Sequence, residues 1–242
     1  MISSSRIIAA IDIGTNSIHM VIARVGESGF EVITREKDNT RLGEGGGDMK
    51  ELSHEAMERG IEALRHMRRV ADAHRASVFA VATSAVREAK NSKTFVDRAA
   101  IEAGIEIEVI SGVEEARLIH LGVLQALPLS DKRSLLIDIG GGSTEVVIFD
   151  HTEELFVRSF KIGAVRLSNR FFPHGSSHPA AIPSCRKFIA STVEPAKREV
   201  LKLKHEVAIV SSGTGETLAR MCWMLTHDEL PRSMNGVNFS TQ

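Results

Sequence analysis

One pattern occurs twice in this chain: Ile8-Ala9-Ala10-Ile11-Asp12-Ile13-Gly14-Thr15-Asn16-Ser17, and then Leu135-Leu136-Ile137-Asp138-Ile139-Gly140-Gly141-Gly142-Ser143-Thr144. In each copy an apolar, strand-like run ends at an Asp, a Gly- and hydroxyl-rich turn follows, and a second apolar run returns, with Val21-Ile22 and Val147-Ile148 at the same later offset. Each copy reads as strand, tight turn and returning strand. Glycine lets the backbone come close to a ligand, so consecutive N–H groups can converge on an anion while Thr, Asn and Ser add short donors. An Asp at the strand end can hold Mg²⁺ against that anion, because a hard cation prefers carboxylate and water oxygens. A single copy reads equally well as a Gly-containing hairpin with a capping Asp. Two copies in the same register make a duplicated phosphate clamp the better account.

The duplication predicts two domains in 242 residues, a length that suits one large domain or two small ones. We expect the boundary in Pro128–Arg133, giving a first lobe over 1–128 and a second over 129–242 that is incomplete at its C-terminus, because Asn235–Gln242 reads as the approach to a further element. In the first half, strands are expected at 7–13, 17–25 and 30–36, and a Gly-rich loop at 41–48. A helix follows from a Ser53 cap with Met57, Ile61, Leu64 and Ala71 at helical spacing, then a strand at 78–82, a helix to about Gly104, a strand at 106–110 and a helix at 113–127. The second half repeats the meander at 134–139, 144–149 and 154–160. It then passes through a loop over Pro173–Pro183, a charged helix to about Lys204, a strand at 207–210 and a last helix. A meander followed by alternating strands and helices argues for an α/β fold with mixed sheets.

A formal charge of −1 gives the whole chain little long-range pull on a polyanion, so a phosphate site must be built locally. Cys185 and Cys222 have no paired spacing, and both are read as small buried apolar groups in a cytoplasmic protein. No stretch approaches the roughly 20 apolar residues of a membrane helix. With basic residues interspersed among acids, no Tyr and one Trp, nothing points to nucleic-acid binding.

The two Asp-Ile-Gly turns, together with Ala82-Thr83-Ser84-Ala85-Val86-Arg87-Glu88-Ala89 and Ile110-Ser111-Gly112-Val113-Glu114-Glu115-Ala116-Arg117, closely resemble the exopolyphosphatase/guanosine pentaphosphate phosphohydrolase family. The resemblance covers essentially the whole chain. It implies a duplicated actin-like (ribonuclease H-like) α/β fold with its active site in the cleft between two lobes. The activity implied is Mg²⁺-dependent release of orthophosphate from the end of inorganic polyphosphate or from guanosine pentaphosphate. Such phosphoryl transfer needs a cradle, charge neutralisation and an oriented water.

Glu115 matches the family's catalytic glutamate, the general base. On the residues alone, Glu114 and Glu115 serve equally well as favourable charges at a helix start, worth roughly 0.3–1 kcal/mol. Glu114 can pair with Arg117 three residues on, which leaves Glu115 for the chemistry. Asp138, Glu145 and Asp12 are the metal candidates, the first two being the stronger pair by resemblance. The phosphate set is Thr15, Asn16, Ser17, Arg87, Gly140, Gly141, Gly142 and Ser143, joined by Gly213 and Thr214 from Ser212-Gly213-Thr214-Gly215, which resembles the family's nucleotide-side motif. His19 also matches a family position, but a histidine inside an apolar strand reads as a core residue. A homodimer is implied by analogy only. A second reading is a nucleotide- or alarmone-binding regulatory module of the same fold that holds phosphates without hydrolysing them. A third is a small-molecule kinase, which the Glu115 segment argues against.

Overall fold

The computed structural model describes residues 6–27, 29–45, 49–129, 132–175, 178–231 and 233–238. The expected Gly-rich loop is therefore seen only in part, and the C-terminal residues 239–242 lie outside the described residues. The chain forms two compact units, Met1–Ser111 and Gly112–Gln242.

In the first unit β1 (Arg6–Ile13), β2 (Ile18–Gly26) and β3 (Gly29–Asp38) form an antiparallel meander. Two further strands, β4 (Ser77–Ala82) and β5 (Ile107–Val109), add in parallel to give the order β3-β2-β1-β4-β5. Period-two burial places Ala9, Ile11 and Ile13 of β1 and Ile18, Met20 and Ile22 of β2 on one face. There they pack under helix α1 (His54–Ala73), whose Ile61, Leu64 and Met67 are buried, and α3 (Ser92–Ala103) with Phe95. Ser53 caps α1 as expected, its Oγ accepting from Ala56 N at 3.1 Å. The helix expected between β4 and Gly104 is two helices, because the chain turns out of α2 (Ser84–Glu88) at Ala89 and restarts at α3.

The second unit repeats the plan. Antiparallel β6 (Ser134–Ile139), β7 (Thr144–Asp150) and β8 (Glu153–Phe160) are joined by parallel β9 (Val207–Ser211), in the order β8-β7-β6-β9. Helix α4 (Gly112–Ala126) covers one face, burying Ala116 and Val123 against Leu136, Val147, Phe149 and Ile209. The division of the chain thus falls before α4, not at the expected 128/129, because the apolar stripe of α4 packs on β7 and β8. Two helices lie on the other face, α5 (Ala164–Phe171) and α6 (Ala181–Leu203). Between them and the sheet runs an apolar cavity of about 350 Å³ lined by Leu135, Ile137, Val146, Ile162, Leu167 and Ile189 among others. α5 was not anticipated, and α6 takes in the last three residues of the expected loop, its Pro183 sitting in the first turn where a missing N–H is tolerated. Helix α7 (Ser212–Met224) follows β9 directly. Cys185 is buried as expected, but Cys222, on α7, is exposed. Among the described residues no helix is long and apolar enough to cross a membrane.

Candidate active site

Strand register assembles the chemistry. Opposite residues of neighbouring strands share a face, and Asp138 sits opposite Glu145 on β7 and Ser211 on β9, while Glu145 sits opposite Ser159 on β8. The result is one row across four strands: hydroxyl, carboxylate, carboxylate, hydroxyl. The outer serines hold the inner acids, Ser159 Oγ donating to Glu145 Oε1 at 2.7 Å and Ser211 Oγ donating to Asp138 Oδ2.

Glu145 is only 1% exposed, and among the described residues its buried Oε2 has no hydrogen-bond partner. Burial, and then the neighbouring charge of Glu115 from α4, push its pKa up to about 8, with Asp138 adding in the same direction and the Ser159 and Ser143 hydroxyls opposing. Burial also raises Asp138, while Ser211 pulls it back. A buried acid with one orphaned oxygen, beside a second acid on its own sheet and a third on the covering helix, is an arrangement short of positive charge. The residues therefore fit a divalent cation. Among the described residues no group of three or more His, Cys, Asp or Glu side chains is arranged to hold a metal ion; Mg²⁺ commonly takes one or two carboxylates, keeping waters and binding substrate phosphates.

The corresponding row of the first unit differs. Asp12 is opposite His19, His19 opposite Lys37, and Asp12 opposite Val81. Positions filled by acid and hydroxyl in the second unit are filled by imidazole, ammonium and an alkyl group in the first. Within the second unit the structure brings together Asp138, Glu145 and Glu115, whereas Asp12 belongs to the first unit and has His19 and Val81 as its neighbours in register. His19 is exposed, not a core residue: its Nε2 lies 2.7 Å from Ser17 Oγ, and partial burial, then Lys37, lower its pKa.

The two turns share a backbone device. Gly14 N donates to Ser17 O at 3.1 Å, and Gly140 N donates to Ser143 O at 3.0 Å. An added Cβ would stand 2.9 Å from Ser17 O in the first turn and 3.2 Å from Ser143 O in the second, so each turn closes on its glycine. The segment after each meander then takes the turn's carbonyls. Arg41 N and Gly43 N bond Asn16 O and Thr15 O, both at 2.9 Å, while Ala164 N and Val165 N bond Gly140 O and Gly141 O at 2.9 and 2.8 Å. With the carbonyls held from behind, the N–H groups of Thr15, Asn16, Gly141, Gly142 and Ser143 donate to no backbone carbonyl among the described residues. They are placed to bind an anion.

A model of the Ppx/GppA phosphatase family matches residues 21–238. The chain belongs to the Ppx/GppA phosphatase family. It is 36% identical over 217 residues to a protein of Haemophilus influenzae named as a putative exopolyphosphatase, covering 89% of this chain and 67% of that one. It is 35% identical over 231 residues to a guanosine-5'-triphosphate,3'-diphosphate pyrophosphatase of Photobacterium profundum, covering 93% of this chain and 46% of that one, so the chain spans about half the length of that relative. The crystal structure of an exopolyphosphatase from Cytophaga hutchinsonii superposes with a TM-score of 0.86 at 34% identity, over 93% of this chain and 73% of the other. Membership makes the chain a phosphoanhydride hydrolase with the duplicated actin-like fold.

The remaining Ppx/GppA positions fall as follows. Glu114 forms the expected pair with Arg117, at 2.7 and 2.9 Å, while Glu115 lies half-buried toward Glu145. Arg87 leaves α2 with its Nη1 donating to Ile110 O at 3.0 Å, which ties the helix to the chain entering α4. Gly213 and Thr214 form the first turn of α7, beside the end of β6, where Ser212 Oγ donates to Ile139 O at 2.6 Å.

Four contributors escaped the sequence reading. Ser159 and Ser211 could have been found from strand register. Gly163 and Arg166 could not, because α5 itself was missed. A Cβ on Gly163 would fall 2.3 Å from the Gly141 carbonyl carbon and oxygen, and buried Arg166 donates from Nε to Gly142 O at 2.8 Å. Gly163→Ala should therefore displace the second turn, lowering stability by about 1–3 kcal/mol as overpacking does and kcat/KM by roughly tenfold or more, since small misplacements of a cradle are expensive in rate. Thermal denaturation and phosphate release read the two effects. Unchanged turnover would mean that the turn does not hold substrate.

Proposed function

We propose that the chain releases orthophosphate from the end of inorganic polyphosphate or from guanosine pentaphosphate, with Glu115 as general base and Mg²⁺ at Asp138 and Glu145. The observation that carries this reading is the acid row. Two hydroxyl-held carboxylates, one with an orphaned oxygen, face a third carboxylate on a separate helix. Bound Mg²⁺ supplies charge neutralisation for the phosphate being transferred. The chain's own residues do the rest. In the second unit the turn N–H groups hold and orient phosphate oxygens and Glu115 takes a proton from the attacking water; the first-unit turn and the Arg87 guanidinium are the further phosphate donors that the family resemblance implies. Ser159 and Ser211 keep their acids in place through the change of charge, and Gly213-Thr214 offers further N–H donors at a helix start.

Orthophosphate release in Mg²⁺ buffer, with medium-chain polyphosphate, guanosine pentaphosphate and ATP compared at equal concentration, tests the reading. Release from one or both of the first two, with little from ATP, is the expected result. Tight binding with no release would replace it with the regulatory module, and transfer from ATP to an acceptor would replace it with a kinase.

A further inference from the structure

Charge is unevenly placed along this chain. Residues 161–205 carry nine Lys and Arg against two Glu, so a stretch of net +7 sits in a chain of net −1 whose remainder is −8. The stretch builds α5 and α6. Six of its cations, Arg186, Lys187, Lys197, Arg198, Lys202 and Lys204, lie exposed on α6 or at its C-cap. Helical residues eleven apart return to within about 20° of each other, so Arg186 with Lys197 and Lys187 with Arg198 form two parallel rows running about 16 Å along the helix. The two acids are already engaged, Glu194 with Lys197 at 3.8 Å and Glu199 with Lys202 at 2.7 Å. Among the described residues no carboxylate lies within 4.0 Å of Arg186, Lys187 or Arg198. Exposed Arg158 of β8 adds to the same side, since it is opposite Val146, which faces the α6 cavity.

We propose that this α5–α6 face is a second contact site for a linear polyphosphate, an inference that rests on the hydrolase reading above. The face lies across the second sheet from the carboxylates: Asp138, Glu145 and Ser211 project to the α4 side, while alternate residues Ile137, Ile139 and Val146 line the α6 side. A substrate of a few phosphates held at the carboxylates cannot reach it. A long chain can bend around the sheet edge and touch both, so the face selects for chain length without entering the chemistry. Polyphosphate is favoured over single-stranded nucleic acid because two of the rings beside the face, Phe171 and Phe188, are covered by a cation and are not open to base stacking. Arg170 lies 5.4 Å from the Phe171 centroid and 4.1 Å from that of Phe188, and there is no Tyr in the chain.

The test is the triple variant Arg186→Ala/Lys187→Ala/Arg198→Ala in the full chain. Binding of polyphosphate of roughly 100 units, of tripolyphosphate and of a poly(U) oligomer would be read by anisotropy at low and moderate salt, alongside phosphate release. Each phosphate contact to a flexible strand steepens salt dependence by about 0.7 in log–log slope, so losing three should weaken long-chain binding on the order of tenfold and flatten its salt dependence. The KM for long chains should rise with it while tripolyphosphate binding and turnover stay unchanged. Unchanged long-chain affinity, equal losses for tripolyphosphate, or poly(U) binding as tight as polyphosphate would each overturn the proposal. Because the primary readout is binding, absence of any turnover would count against the hydrolase reading alone.

Discussion

Glu115→Gln should fold normally and lose phosphate release by a factor of about 10²–10⁴, the usual contribution of a positioned general base. The substitution keeps the shape of the side chain and removes its capacity to take a proton. Local geometry separates this effect from a structural one. Glu114 carries an ion pair in the first turn of α4, with Arg117 at 2.7 and 2.9 Å. The charge of Glu115 acts instead on Glu145, as the largest influence after burial on the raised pKa of that acid. Removing it should relieve part of that strain, so the metal-free variant should melt no lower than the parent protein, and Glu145 should titrate at lower pH. Phosphate release by the variant within a few-fold of the parent would sink the assignment of Glu115. Lost release accompanied by a collapsed melting transition would reassign it to a structural role.

The duplication was legible because strand–turn–strand patterning is local: an apolar run, an Asp, a glycine turn and a returning run can be read without knowing what packs on them. The carboxylate row was legible only in part. Asp138 and Glu145 are seven residues apart across one hairpin, and that spacing places them opposite each other. Their supports come from β8 and β9, and Ser211 is 73 residues from Asp138, so only the assembled sheet brings it there. Asp12 looked equivalent to Asp138 because its turn is equivalent, yet its neighbours in register are His19 and Val81. Equivalent turns therefore do not have equivalent neighbours in register. α5 was hidden for another reason: it is eight residues long and opens on Gly163, a residue chosen for its close approach to Gly141 more than for helix formation. The boundary at Ser111/Gly112 is likewise a property of packing, since the sequence of α4 is continuous with neither lobe until its apolar stripe meets β7 and β8.

Glu145→Gln should make the metal-free protein more stable and the enzyme inactive. The unfolded chain holds this carboxyl at its ordinary value of 4.5, whereas the folded chain raises it to about 8. Between those values the folded state binds more protons than the unfolded one, so stability falls as pH rises. The penalty is absent below about pH 4.5, grows through the window and is complete above about pH 8. Glutamine does not titrate and escapes it. At one pKa unit to about 1.4 kcal/mol, the second unit should gain on the order of a few kcal/mol at pH 8 in chelator, or several degrees in Tm at roughly 2–4 °C per kcal/mol, with the gain vanishing toward pH 4.5. Mg²⁺ should reverse the ranking. A metal ligand must be deprotonated, so the rise in Tm that Mg²⁺ gives the parent protein should increase from pH 6 to pH 8, while the variant loses that rise together with phosphate release. Melting curves with and without Mg²⁺ at pH 5, 6.5 and 8 decide the matter. A variant less stable than the parent in chelator at pH 8 would show that Glu145 is held there by something other than a missing cation, and a variant that keeps the full Mg²⁺ response would move the metal away from β7.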